Sequence, residues 1–135
     1  MSGEIRYPTF EQAKVLHERV LKMTGGEIGQ LSSSNLEYLL EAVREVGKGS
    51  EGKHAVVRKA AFLLHEIVVL HPFVNGNKRT AFELAKQFIE LNGFVFKPKT
   101  EAAYDFLLQI ATGSASMADV EDWIEMNLTE EEGEE

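Results

Sequence analysis

The sequence contains no cysteine, which excludes both a disulfide framework and a thiolate metal site. No apolar run approaches the roughly 18 residues that a membrane-spanning helix needs. The N-terminal residues also lack the apolar region of a signal peptide. These absences lead us to expect a soluble, cytoplasmic protein that does not interact with a membrane.

Positive charge is also scarce. The formal net charge is −8, and five of the acidic residues lie in the C-terminal stretch Thr129–Glu135. Residues 1–128 therefore carry about −3 and lack the basic surplus of proteins that bind nucleic acid through its phosphates. We expect no nucleic-acid partner, one domain over residues 1–128, and a disordered acidic tail over residues 129–135.

The chain does contain a succession of apolar stripes at helical spacing. Thr9 and Gln12 have the spacing of a capping box, and the first stripe follows them. His17 lies beside this stripe, so we expect it at the helix surface or the edge of the core. Six such stripes and almost no alternating pattern predict a compact all-α bundle of about six helices, beginning near Thr9, Ser34, Ala55, Asn77, Thr100 and Ser116. We expect Thr100 to be the N-cap of the fifth helix.

Two of these helices enclose the most polar turn of the chain. The helix expected over Ala55–Leu70 is apolar on nearly every side, which is typical of a central helix. Before it, the glycine-rich segment Gly47–Gly52 predicts a flexible loop or small hairpin. The next helix, expected over Asn77–Asn92, has an inner face formed by Ala81, Leu84, Ala85, Phe88 and Leu91.

The segment His71–Thr80 covers the turn between these helices and the first residues of the second one, and it reads HPFVNGNKRT. Pro72 disfavours helical conformation at the residue before it, and Gly76 allows a ligand to approach the main chain closely. A helix that starts near Asn77 presents unpaired N–H groups and the positive end of its dipole at this point. The segment therefore predicts an anion site.

The charges of the segment point to the kind of anion. Lys78 and Arg79 lie in the first helical turn, where cations oppose the helix dipole and lower helix stability. An external phosphate would compensate, with Arg79 binding it in bidentate fashion and Asn77 donating an amide hydrogen bond. His71 is the one side chain of the segment suited to general-base chemistry near neutral pH.

This order of residues resembles the signature of the Fic/Doc family. The matching positions are His71, Pro72, Phe73, Gly76, Asn77 and Arg79. The run NKRTA at Asn77–Ala81 is similar to the Doc branch, whereas the Fic branch commonly has a second glycine where Lys78 stands. The likeness extends over most of residues 5–126.

The resemblance implies an enzyme that uses ATP or another nucleoside triphosphate to modify a hydroxyl of a target protein. Doc-like members transfer the γ-phosphoryl group, and a translation factor is their known kind of target. By this likeness His71 would deprotonate the hydroxyl, and Gly76–Arg79 would cradle the phosphates, with Lys78 and Arg79 holding the charge that develops in transfer. Phe73 would anchor the loop to the core, and Val46–His54 would be the flap that docks target peptide.

Two positions depart from the family pattern and leave alternatives open. Asn75 stands where many relatives have an acidic Mg²⁺ ligand, and an amide oxygen is a weaker ligand for this cation. We therefore expect Mg²⁺ to be held mainly through the nucleotide phosphates. Lys78 favours phosphoryl transfer, but AMP transfer of the Fic type and a catalytically weak protein that binds nucleotide or a partner remain alternatives.

Regulation is the last expectation that the resemblance supports. Fic proteins with a built-in inhibitory helix carry a Ser/Thr-x-x-x-Glu-Gly/Asn pattern, and Ser33 to Glu37 has its spacing but is followed by Tyr38. We find no match to the pattern. A regulated form of this chain would therefore require a separate, antitoxin-like inhibitory partner.

Overall fold

A computed structural model describes residues 4–24, 33–70 and 77–130. The elements over these ranges are six α-helices, a 3₁₀ turn at Val43–Glu45 and a two-stranded sheet. In chain order they are α1 (Phe10–Thr24), α2 (Ser33–Ala42), α3 (Gly52–Leu70), α4 (Asn77–Leu91), β1 (Phe94–Phe96), α5 (Thr100–Ala111), α6 (Met117–Met126) and β2 (Leu128–Glu130). The predicted all-α class of about six helices is confirmed.

Helix α3 is the centre of the domain. It packs most extensively on α4, and α6 and α5 also contact it. Buried apolar side chains occur all around it, as expected for a helix surrounded by others: Ala55, Val56, Val57, Ala60, Ala61, Leu63, Leu64, Ile67 and Val68. Among the helices of the described ranges, none combines the length and apolarity needed to cross a membrane.

Two of the predicted helix starts are confirmed at atomic detail, and the predicted cap of the fifth helix is wrong. At α1, the Gln12 N–H donates to Thr9 Oγ1 (3.0 Å) and the Thr9 N–H donates to Gln12 Oε1 (2.9 Å). Ser116 and Asp119 form the same reciprocal capping box at α6. At α5, however, Lys99 is the N-cap and makes no side-chain cap hydrogen bond, so Thr100 is the first helical residue instead of the cap.

The predicted flap loop is shorter than its sequence suggests. Helix α3 begins at Gly52 instead of Ala55, so Lys53 and His54 are helical and exposed. Gly52 has a positive φ of 57°, which lets the chain turn abruptly into the helix, and the Ala55 N–H donates to the Glu51 carbonyl at 3.4 Å. The connection before α3 is therefore confined to Val46–Glu51.

An exposed ion pair between Glu45 and Lys48 lies at the start of this connection. The Lys48 ammonium donates a hydrogen bond to Glu45 at 2.6 Å, which holds the pKa of Glu45 below and that of Lys48 above its usual value. Both side chains are largely exposed to solvent, so the pair adds little to stability.

Helix α4 has the predicted course with a small change at its end. It stops at Leu91, and the turn that follows has Gly93 at a φ of 88°. Ile89 is fully buried, whereas Leu91, predicted on the inner face, is only half-buried because it closes the last turn at the rim of the core. The other predicted inner positions, Ala81, Leu84, Ala85 and Phe88, are buried.

The C-terminal boundary of the domain also needs a correction. Strand β2 pairs antiparallel with β1, with Thr129 opposite Val95 and Glu130 opposite Phe94. Thr129 and Glu130 therefore belong to the folded domain, although they were predicted to be part of a disordered tail, because backbone pairing orders them despite their polar side chains. Residues 131–135 lie outside the described ranges, and their disorder stays a prediction.

Candidate functional site

Two of the predicted site residues, Lys78 and Arg79, lie at the beginning of α4. This 15-residue helix starts at Asn77 and has no acidic residue in its first turn. Lys78 is half-buried and Arg79 is exposed in that turn. The helix therefore presents its unpaired N–H groups, the positive end of its dipole and two cationic side chains at the same end.

Arg79 has an acidic partner one turn along the helix. Its Nε donates to Glu83 Oε2 at 3.2 Å, and the side chains are 48% and 27% exposed. An exposed pair of this spacing contributes only about 0.3–0.5 kcal/mol. The pair orients the guanidinium without committing much free energy to the contact, so an anion of higher charge could compete for Arg79.

A groove, here called the α4–α5 groove, opens beside this pair. Its volume is about 460 Å³, within the range of roughly 300–1,000 Å³ typical of small-molecule sites. Cations outnumber anions in its wall, although the chain as a whole is acidic. It is lined by Arg79, Phe82, Glu83, Lys86, Phe96, Lys97, Pro98, Thr100, Ala103, Tyr104 and Leu107.

The sequence interpretation missed most of this groove. No role was predicted for Lys86, Lys97 or Tyr104. Arg79, Glu83 and Lys86 follow the spacing i, i+4, i+7, which places them on one face of a helix and was the available signal. Tyr104, 63% exposed, comes from a different helix, and no local pattern indicates that it shares a groove with Arg79.

A buried polar pair, His17 and Thr80, contacts the same helix start on the side that faces the core. His17 Nδ1 and Thr80 Oγ1 lie 2.9 Å apart. Both residues are buried, which places His17 further inside than the surface or core-edge position expected from sequence. The bond joins α1 to the first turn of α4.

The remaining predicted site residues are not placed by the structure. His71, Phe73, Asn75 and Gly76 lie outside the described residues, and so does the side chain of Asn77. Their predicted roles stay predictions. Within residues 4–24, 33–70 and 77–130, no group of three or more His, Asp or Glu side chains is arranged to hold a metal ion.

The fold defines a class of protein: an all-α domain in which a helix with two cationic residues in its first turn packs against the central helix. A family model described as the Fic/DOC family matches residues 7–89, which is more than half of the chain. The chain therefore belongs to the Fic/DOC family, whose members are typically nucleotide-dependent transferases. No curated protein matches the chain in sequence.

Proposed function

We propose that the chain is a Doc-like protein phosphotransferase that moves the γ-phosphoryl group of ATP to a hydroxyl of a target protein. The observation that carries the proposal is the position of Lys78 and Arg79 in the first turn of α4. Cations there are unfavourable for the helix alone, and a bound polyphosphate reverses this cost. Lys78, in place of the second glycine of Fic-branch signatures, favours γ-phosphoryl over AMP transfer.

The α4–α5 groove supports nucleotide binding next to the phosphates. Tyr104 offers an exposed aromatic face on which a base could stack, and Phe82 adds apolar surface in the same wall. Lys86 and Lys97 add positive charge along the groove. A ligand with one aromatic end and one strongly anionic end fits this arrangement.

In the proposed reaction, the hydroxyl oxygen of the target forms a bond to the γ-phosphorus, and the bond to the bridging oxygen of ADP breaks. His71 accepts the hydroxyl proton. Lys78, Arg79 and the N–H groups of the helix start stabilise the charge on the transferred group, so that positioning and electrostatics supply most of the rate. Mg²⁺ would enter with the nucleotide, held chiefly by its phosphates and weakly by Asn75.

The partners follow from the same proposal. The target is a protein with an accessible hydroxyl, a translation factor being the class that the Doc likeness favours. Inhibition would come from a separate antitoxin-like protein.

ATP labelled separately at the α and the γ phosphate tests the reaction. The purified chain is incubated with Mg²⁺, an extract of translation factors and ATP labelled at either the α or the γ phosphate. We expect label from the γ position alone on a protein band. Label from the α position would instead establish AMP transfer, and nucleotide binding without either label would establish a binding protein.

The His71→Ala variant is the control for the mechanism. We expect it to retain nucleotide binding and to lose transfer, because general-base assistance and the correct hydroxyl geometry both depend on the imidazole. Transfer at an unchanged rate in this variant would contradict the role of His71.

Glu83 gives a second prediction, on affinity. Glu83→Gln removes a negative charge beside the proposed phosphates and frees Arg79 from its partner. Because a unit charge a few ångströms away in a water-like surrounding is worth about 0.5–1 kcal/mol, we expect ATP to bind roughly threefold more tightly. Isothermal titration calorimetry measures the change. Glu90→Gln, an exposed charge later on α4, is the matched control and should leave the affinity unchanged.

A further inference from the structure

His17 and Thr80 form a buried polar pair between α1 and α4, at a place in the core where two apolar side chains would pack equally well. His17 belongs to the buried stripe of α1, whose other members, Ala13, Leu16 and Val20, are apolar. Its Nδ1 meets Thr80 Oγ1 at 2.9 Å, with His17 7% and Thr80 1% exposed. A buried imidazole and a buried hydroxyl each lower stability unless they are hydrogen bonded. Packing alone therefore does not account for this choice of residues.

The place of Thr80 on α4 suggests what the bond does. Thr80 is the fourth residue of the helix, and among the described side chains of the first turn, Lys78, Arg79 and Thr80, it is the buried one. Successive side chains leave a helix about 100° apart, so a fixed direction for Thr80 also fixes the direction of Arg79. Apolar contacts tolerate small rotations, whereas a hydrogen bond is directional.

We infer that His17 is a positioning residue. Through its bond to Thr80 it sets the rotation of the first turn of α4, and so aims Arg79 and the unpaired N–H groups at one point. Bound ligands and reacting groups must be held within roughly 0.5 Å for full activity, which a directional bond at the helix start provides. The effect on catalysis rests on the proposed function, whereas the effect on the helix start does not.

Hydrogen exchange followed by NMR tests the helix start without any reaction. His17→Leu removes the bond, and Leu16→Ala is the matched control because it weakens the neighbouring α1 contact and leaves the bond intact. In His17→Leu we expect the amides of Ala81, Phe82 and Glu83 to exchange about tenfold faster relative to that of Ile89. In Leu16→Ala all four amides should accelerate together.

Transfer kinetics test the consequence for the site. We expect His17→Leu to lower kcat about tenfold and to change the KM for ATP much less, because misplacement by a fraction of an ångström affects the transition state most. His17→Asn, which keeps a hydrogen-bonding nitrogen close to the position of Nδ1, should recover kcat to within about threefold of the parent. Leu16→Ala should keep the parent kcat under conditions where it is folded.

Each result decides the inference. If His17→Leu accelerates exchange uniformly, as Leu16→Ala does, or if it leaves kcat unchanged, His17 does not position the site. If exchange is local but the parent transfers no label from ATP, the proposed function fails while the role of His17 at the helix start stands. Should His17→Leu fail to fold, Thr80→Val removes the same bond with almost the same volume and replaces it in both experiments.

Discussion

Replacing Arg79 with alanine is expected to lower the rate of phosphoryl transfer by about 10²- to 10³-fold, the loss typical when one donor to a transition-state anion is removed. The guanidinium extends from the first turn of α4, lines the α4–α5 groove and is only weakly held by Glu83. Because that ion pair is exposed, its loss changes the free energy of unfolding by less than about 1 kcal/mol. The variant therefore separates activity from stability.

Lys86→Ala is the matched control for this variant. Lys86 lies on the same face of α4, two turns further from the helix start, and lines the same groove. The substitution removes one positive charge, as Arg79→Ala does, but it removes no hydrogen-bond donor at the proposed phosphate. We therefore expect the rate to fall less than about threefold. Equal losses in the two variants would mean that the groove attracts nucleotide through its general field, without a specific contact from Arg79.

Arg79→Lys refines the test. It keeps the charge but replaces a planar fork of donors with a compact ammonium group, so bidentate contact with phosphate is lost. We expect a rate between those of the parent and of Arg79→Ala, about tenfold below the parent. Steady-state kinetics with γ-labelled ATP measure all three variants, and urea unfolding verifies that each is folded.

The structural features that could be predicted from the sequence are those that depend on short-range patterns of residues. Capping boxes such as Thr9–Gln12, the apolar stripes and the end of α4 near Asn92 each depend on residues a few positions apart, and the structure confirms them. The Thr100 cap failed because a threonine at a helix start fits the first helical position as well as the cap. Pairing of β1 with β2 was missed because it joins residues more than 30 positions apart.

Long-range polar contacts account for most of what the sequence did not reveal at the site. The bond between His17 and Thr80 spans 63 positions, and nothing in the neighbourhood of either residue identifies the other as its partner. The groove combines faces of α4 and α5 with the segment after β1. Such arrangements depend on how helices are packed, and a single sequence carries no local record of that.

Lys59 is the strongest case of a contact that sequence patterns conceal, and its removal is the second large effect that we expect. It lies on the apolar helix α3 and is only 5% exposed. Its ammonium donates to the carbonyls of Val43 (3.2 Å), Arg44 (3.2 Å) and Val46 (2.7 Å). These carbonyls end the helical segment before the Val46–Glu51 connection, where the helix dipole is negative, and that of Val43 also accepts from the Val46 N–H at 3.2 Å.

The ammonium group of Lys59 matches its surroundings in the number of hydrogen bonds and in charge. A lysine ammonium has three N–H donors, and each finds one of the three carbonyls. The ring of Tyr7 lies 5.5 Å from the ammonium, at a distance where an aromatic face attracts a cation. Lys59 thus fastens the end of the α2 segment to α3, directly before the Val46–Glu51 connection.

Lys59→Met is therefore expected to lower the free energy of unfolding by about 3 kcal/mol, because several carbonyls lose their donor and the partly buried ones are costly to leave unpaired. Urea denaturation measures the change in the free energy of unfolding. If the slope of this free energy against urea concentration is the same as in the parent, the substitution has not altered the unfolded state. The expected loss is a large share of the roughly 5–15 kcal/mol that stabilises a typical domain.

Arg58→Met is the matched control, since it removes the same charge from the neighbouring position of α3. Arg58 is half-buried, and its contacts are a hydrogen bond to Ser50 (3.2 Å) and a distant ion pair with Glu121 (4.0 Å). We expect this variant to lose less than about 1 kcal/mol. If the two variants lose equal stability, the three carbonyl contacts of Lys59 are replaced by water, and the anchoring of the Val46–Glu51 connection must come from the apolar neighbours of α3.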